Sequence, residues 1–401
     1  MKQLHVDDGR QDYRDNGRVR HADGRSKSAP LRFGTTRSSV LVIVLVTLLF
    51  TSVAVVAFIE QASNDLLVEA RVVAARRLRR EAYSTLEVTL ATLQGFITAD
   101  NGLHHPAEGW SDPLGFANWA PREGVTAEVT FEDESGKIPL PKADAATLMN
   151  VFEGWQMSPA DAQKLADALL GWMRRDYVPA GGQPTDYDQM SIPYNAPGRS
   201  LRSYSELAAI DYAREVFYDD QGRPNDLWRR FAATFSLYNY AQVNLNAAPT
   251  DVLGGLGFTD LSQQQRVSDY LGGKGANVAS GPRWFTSASD AAAVLGSAAL
   301  PAMAGAQIRA LRVNIVMREG RSEFRLSAVV APVGGATIVQ SSATSTTAPA
   351  SGTTTTASAP STTAPAAAPA SPAPQLNYPF TLLEIKENAE MSPVPPAPPA
   401  A

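Results

Sequence analysis

The chain has 401 residues, of which about 240, from roughly Ala99 to Pro332, can fold outside a membrane, room for one large domain or two small ones. A net charge of −5 argues against a nucleic-acid binder, because neutralising phosphates takes a basic surface. There is no cysteine, which excludes disulfides, thiolate metal sites, iron–sulfur clusters and cysteine nucleophiles and leaves the compartment open.

Residues 1–39 carry nine Lys/Arg against five Asp and almost no large apolar side chain, so residues 1–38 are expected to form a disordered basic leader. Val40 to Ile59 then runs for twenty residues without a charge, proline or glycine. A helix of that length spans about 30 Å, the thickness of a bilayer core. Its Thr47, Thr51 and Ser52 can satisfy their hydroxyls on the preceding turn. The basic residues on the two sides nearly balance, but Arg37 abuts the span while Glu60, Asp65 and Glu69 follow it. That places the N-terminus in the cytoplasm and the bulk outside.

The apolar spacing continues past the span. Leu67, Ala70, Ala74, Leu78, Ala82, Leu86, Leu90, Leu93 and Ile97 recur every three or four residues, which predicts one helix from about Val40 to Phe96. Arg71, Arg76, Arg77, Arg79 and Arg80 on it read as a solvated face. Asp100 to Arg122 reads as loop, and the pair His104-His105 within it lacks a metal-ligand pattern. Val125, Ala127, Val129 and Phe131 alternate as a strand, and Asp133-Glu134-Ser135-Gly136 is expected to turn it into a hairpin with Lys137–Leu140.

From Pro141 to Gly296 the pattern changes to short helices. Asp144–Leu148 leads through Met157-Ser158-Pro159 into Ala160–Trp172, and Asn246–Leu253 leads through Phe258-Thr259-Asp260 into Leu261–Leu271. The two units form a weak internal repeat of helix-hairpin-helix outline. Such units bind the DNA backbone through a Gly-x-Gly hairpin that offers N–H groups to phosphate, and neither turn is read as offering one. The alternative use, a protein interaction surface, suits the acidic composition better. Between the units, Asp176 to Asp226 gathers several carboxylates in a loop, which could hold calcium, although no EF-hand spacing is present.

Ile308–Met317 and Ser322–Val330 form the clearest hairpin, turned at Arg318–Arg321. Residues 333–375 are an Ala/Pro/Ser/Thr-rich linker, and within the tail, 376–401, Tyr378–Ile385 could add an edge strand. No nucleophile elbow, HExxH, Walker loop or dinucleotide-binding turn occurs, so no enzyme is expected.

Several stretches together resemble the K-type minor pseudopilin of the general (type II) secretion pathway. They are RSSVLVIVLVTLL from Arg37, Phe131–Leu140, Leu170-Gly-Trp172, Tyr194–Leu207 with its Ser-x-x-Glu-Leu ending, and the Val243-Asn-Leu-Asn-Ala-Ala-Pro249 box. The resemblance implies an α+β fold. A pilin-like long N-terminal transmembrane helix (39–98) and a small antiparallel sheet (99–140 and 297–332) would be interrupted by an inserted all-α domain (141–296) with helix-hairpin-helix-like units. It implies prepilin peptidase cleavage between Ser38 and Ser39, with Ser38 standing where the family usually has Gly. Ile43 then occupies the fifth mature position, where most pilins keep a glutamate and the K type does not. It implies a single pass through the inner membrane with a periplasmic bulk, and I- and J-type minor pseudopilins and the major pseudopilin as partners. A family member binds calcium through acids after the Trp; here these would be Asp176, Asp186 and Asp188, with Arg174 and Arg175 occupying part of that stretch. The alternative reading is a single-pass membrane protein whose extracytoplasmic helix-hairpin-helix domain binds nucleic acid.

Overall fold

A computed structural model describes residues 37–181, 187–189, 193–281, 283–296, 300–338 and 379–388. The leader up to residue 36, the linker from residue 339 and Asp186 lie outside them. Two compact units divide the chain, Met1–Glu69 and Ala70–Ala401.

In the first unit the only described element is the start of α1, a helix that runs Arg37–Asp100. Its side chains from Val40 to Ile59 are exposed all round, Leu41 at 70% and Phe58 at 71%. The hydroxyls of Thr47, Thr51 and Ser52 donate to the carbonyls of Val44, Leu48 and Leu48 at 2.8–2.9 Å, so the segment leaves no side-chain polar group unsatisfied. Among the described residues, α1 is the one helix long and apolar enough to cross a membrane.

The second unit begins within α1. Leu78, Ala82, Leu86 and Leu93 of the predicted stripe are buried, whereas Leu67 and Ala70 at its N-terminal end are exposed. Gly95 does not end the helix, contrary to the reading that stopped it near Phe96. A helical glycine costs only about 1 kcal/mol, and the break comes where Asn101 (φ 55°) and Gly102 (φ 156°) leave right-handed space.

The buried side of α1 packs on a four-stranded antiparallel sheet of order β1-β6-β7-β8. Its strands are β1 Val125–Asp133, β6 Leu311–Glu319, β7 Ser322–Pro332 and β8 Phe380–Glu387. β6 and β7 form the predicted hairpin, closed through Gly320 at φ 56°. Leu311, Val313, Ile315 and Met317 face α1, as do Phe324, Leu326, Ala328 and Val330. Period-2 alternation sends Arg312, Asn314, Val329 and Ala331 to the opposite side.

The first predicted hairpin does not form. Asp133–Gly136 is a buried 3-10 turn whose Ser135 N–H is taken by Asp133 Oδ1 at 2.8 Å and by the Ala310 carbonyl at 3.2 Å. The chain therefore leaves the sheet sideways. β1 pairs instead with β6, and Ile138–Pro139 (β2) pairs in parallel with Phe235–Ser236 (β3).

The inserted segment covers the second face of the sheet. It is mainly helical: α3 Ala145–Gly154, α4 Pro159–Met173, α5 Asp211–Phe217, α6 Asp226–Thr234, α7 Thr250–Gly255, α8 Leu261–Leu271 and α9 Ala288–Leu295. It is not all-α as expected. Besides β2 and β3, Val243–Asn244 (β4) pairs in parallel with Ala304–Gly305 (β5). The extended Val-Asn-Leu-Asn stretch has its alternate N–H groups taken by the carbonyls of Met303 (2.6 Å) and Gly305 (2.9 Å), which holds it out of a helix.

The two repeat units are both helix–turn–helix, α3–α4 and α7–α8. In each turn one residue has positive φ, Gln156 (66°) or Gly257 (95°), and the next N–H reaches back to a helical carbonyl, Met157 to Phe152 or Phe258 to Leu253. Each second helix starts on a side-chain cap, Ser158 or Asp260. α7 packs closely on α3 because Gly255 has no side chain; a Cβ there would meet Val151 Cγ2 at 2.4 Å and Ile138 Cδ1 at 2.5 Å. A ladder of rings, Phe217, Phe231, Phe235 and Phe152, at centroid spacings of 4.7–6.2 Å, fills the core between the helices.

Candidate assembly surface and its supporting seam

Arg37, Ser38 and Ser39 form the first turn of α1, so the predicted scissile bond lies at a helix end, where backbone N–H groups have no intrahelical partner. Ile43 is 61% exposed on an apolar cylinder with no carboxylate at that level. A surface like this in water is unstable; lipid or the apolar helices of other subunits would cover it.

The basic segment beyond it is more structured than a solvated face. Arg79 Nε donates to both carboxylate oxygens of Glu387 on β8 at 2.9 and 3.0 Å, and the Tyr83 hydroxyl donates to the same group at 2.6 Å. Arg122 bridges Glu81 and Glu319, each at 2.6 Å. Arg71, Arg76, Arg77 and Arg80 are exposed as expected.

Where the insertion meets the sheet, charged groups are enclosed. Glu134 is 2% exposed and receives Arg312 Nε at 2.8 Å and Lys137 Nζ at 3.2 Å. Arg312 also reaches Glu384 of β8 at 3.2 Å, and Lys137 reaches Glu132 at 2.7 Å. Burial opposes ionisation of Glu134, but the charges of Lys137 and Arg312 outweigh it and hold its carboxyl below the ordinary range. The ion pairs thus fix β1, β6 and β8 to the turn that launches the insertion.

Next to them lies the Asn box. Asn244 Nδ2 donates to the His104 carbonyl at 2.9 Å and to Asp133 Oδ2 at 2.7 Å. Asn246 Nδ2 donates to the carbonyls of Phe285 (2.9 Å) and Ala306 (3.1 Å), while its Oδ1 accepts from Phe285 N–H at 2.7 Å. Two buried amides therefore tie together the segment after α1, the turn after β1, the loop before α9 and the strand leading to β6.

Asp133 gives this seam a pH dependence. Its Oδ1 accepts from Ser135 N–H and Oγ, its Oδ2 from Asn244, and burial pushes its carboxyl up to about 6 in spite of those bonds. The folded state holds this proton more tightly than the unfolded chain, so stability falls as pH rises from about 4 to about 6, by at most about 3 kcal/mol from this group. Glu134 has the opposite sign: its contribution is present above about 4.5 and is lost as pH falls through its depressed folded pKa. Denaturant midpoints measured from pH 4.5 to 7.5 are expected to fall as pH rises through 6. A profile flat over that interval would refute the assignment.

The histidine pair is structural. His104 Nδ1 lies 2.6 Å from Glu108 Oε1, and Trp110 Nε1 donates to the other oxygen at 3.0 Å. Glu108 is raised by burial but held down overall by these bonds. His105 stacks on Trp284. The stretch read as loop thus contains a 3-10 turn, Pro106–Glu108, a short helix α2, Pro113–Phe116, and the fully buried Trp110.

Of the predicted calcium ligands, Asp176 and Asp188 are both exposed, Asp188 within a 3-10 turn. Among the described residues no group of three or more His, Cys, Asp or Glu could hold a metal ion. The nearby buried acid, Asp167, spends its oxygens on Tyr177 (2.5 Å), Gln163 and the N–H groups of Ala180 and Gly181. Asp186, the third acid of that set, lies outside the described residues. The second helical turn does hold a Gly255-Leu256-Gly257 triplet, but the N–H groups of Leu256, Gly257 and Phe258 go to Val252, Gly254 and Leu253 at 2.9–3.0 Å. They are not offered to phosphate.

These features define a class: an α+β protein with a long apolar N-terminal helix, a four-stranded antiparallel sheet and a large helical insertion. Residues 132–220 match the family model for Type II secretion system (T2SS), protein K. The match takes in the turn at Glu134, both helices of the first repeat and the Tyr194–Leu207 stretch. A solved structure, the GspK–GspI–GspJ complex of the enterotoxigenic Escherichia coli type 2 secretion system, aligns with TM-score 0.47 and 13% identity, covering 66% of this chain and 95% of that one. No match to a curated protein is found.

Proposed function

We propose that this protein is a K-type minor pseudopilin at the tip of the type II secretion pseudopilus, where it helps initiate assembly and so protein export across the outer membrane. The observation that carries the reading is the protein K segment at 132–220 in the same chain as an N-terminal helix exposed and apolar on every side from Val40 to Ile59. The helix spans the inner membrane once, N-terminus in the cytoplasm and bulk in the periplasm. Prepilin peptidase cuts between Ser38 and Ser39, at the frayed end of α1. The freed helix then leaves the bilayer by packing its apolar cylinder against those of other subunits.

With Ile43 at the fifth mature position, the chain has no carboxylate to pair with the N-terminal amine of a subunit above it. The insertion, 141–296, would obstruct stacking on the same side. Both features suit the end of a filament rather than its shaft. The proposed partners are the I- and J-type minor pseudopilins, named beside GspK in the solved complex, and the major pseudopilin. The experiment is co-purification from detergent-solubilised membranes of the tagged full-length chain with its cognate I- and J-type subunits. A stable three-component complex is expected, and recovery of the chain alone under co-expression would overturn the reading.

A further inference from the structure

The outermost strand of the sheet does not come from the segments that build the rest of it. β8 follows Ile338 only after about forty residues of mostly Ala, Pro, Ser and Thr, yet it pairs antiparallel with β7 from Leu326–Glu387 to Pro332–Phe380. β1, β6 and β7 would form a sheet without it. β8 is gripped from both sides because a register shift between Val329 and Val330 turns the strand partway along. On the α1 side Phe380 is buried, and Glu387 receives Arg79 and Tyr83. On the insertion side Leu383 is buried, and Glu384 accepts from the Tyr238 hydroxyl at 3.1 Å and from Arg312 at 3.2 Å. Between these anchors Leu382 and Ile385 stay 49% and 37% exposed.

We propose that the β7 edge is a strand-docking site for an extended acidic peptide, and that its occupant is this chain's own segment 379–388, a detachable ligand held in cis by its tether. A sheet edge supplies main-chain affinity, side-chain pockets supply specificity, and here the cationic rim of Arg79 and Arg312 selects two glutamates three residues apart. The tether keeps the local concentration of the strand high, so modest intrinsic affinity suffices to keep the edge covered. A covered edge is closed to pairing with another chain. This inference stands apart from the secretion reading, since it uses only contacts within the chain.

The test inserts a protease site into the linker near residue 355 of the full-length protein in detergent, cuts it, and follows the C-terminal fragment by gel filtration. The fragment is expected to co-elute with the body and to be displaced by excess synthetic peptide of residues 376–390. Glu384→Gln with Glu387→Gln in the tail is expected to weaken retention at least tenfold, and the body keeps its fold because both changes lie in the ligand. Three results would each overturn the proposal: loss of the unsubstituted fragment immediately on cutting, retention that no excess of peptide displaces, or dimers of the uncut protein that show the strand is exchanged between copies.

Discussion

Asn246→Ala is expected to cost the protein about 4 kcal/mol of folding stability. Besides a 3.4 Å bond to the His104 carbonyl, which Asn244 also holds, the side chain serves three main-chain groups, Phe285 N–H, Phe285 carbonyl and Ala306 carbonyl, and it is only 5% exposed. Alanine leaves those groups without partners in a space too enclosed for bulk water, and each buried orphan costs about 1–3 kcal/mol. The loss also unties the Phe285 loop from the strand that leads into β6, so the damage spreads beyond one helix. Urea titration of the full-length protein in detergent measures it as a lowered midpoint at unchanged slope. A loss under about 1 kcal/mol would mean that the Asn box is not what fastens the insertion to the sheet.

Glu134→Ala comes next, with an expected cost of about 3 kcal/mol, because it takes the most buried carboxylate from Arg312 and Lys137 and leaves them only the more exposed Glu384 and Glu132. The diagnostic is the double variant. Arg312→Met together with Glu134→Leu removes both charges and replaces them by apolar volume, so its cost should fall well short of the two single losses added together. Additive losses would show that the pair is not coupled through the seam. The same buried charges explain why β1 cannot turn back on itself. The chain at Glu134 is committed to Arg312 on β6, and Ile138 is thereby delivered to β3.

The elements that depend on local pattern were legible in the sequence. The apolar run at Val40–Ile59, the stripe from Leu78 to Leu93 and the alternation at Leu311–Met317 each carry their own period, and each faces as that period implies. The two helix–turn–helix units announced themselves through Ser158-Pro159 and Thr259-Asp260 before apolar runs. What the sequence hid is what long-range partners decide. Asp133–Gly136 looks like a hairpin turn until Arg312, almost 180 residues later, takes Glu134. One local pair was hidden as well: His104 finds its acid four residues away, at Glu108, in a stretch whose prolines and glycines suggest loop. The Val-Asn-Leu-Asn box gave a family resemblance but no hint of its mechanical task, since amide side chains announce neither donor nor acceptor partners. Arg79 belongs to a run of five arginines on one helix, and only the return of β8 distinguishes it from its neighbours.

Exposure ties these observations to assembly. The second unit encloses Glu134, Lys137 and Arg312 in ion pairs and Asn244 and Asn246 in hydrogen bonds, while α1 leaves the apolar side chains from Val40 to Ile59 exposed. In the proposed function such a helix changes surroundings, from lipid to neighbouring helices. The most direct test of that account is mass analysis of the N-terminus of the full-length gene product isolated from membranes that contain prepilin peptidase. The account predicts a mature chain that begins at Ser39 and carries an N-methyl group. An intact Met1 under those conditions would contradict it and leave α1 as a plain anchor.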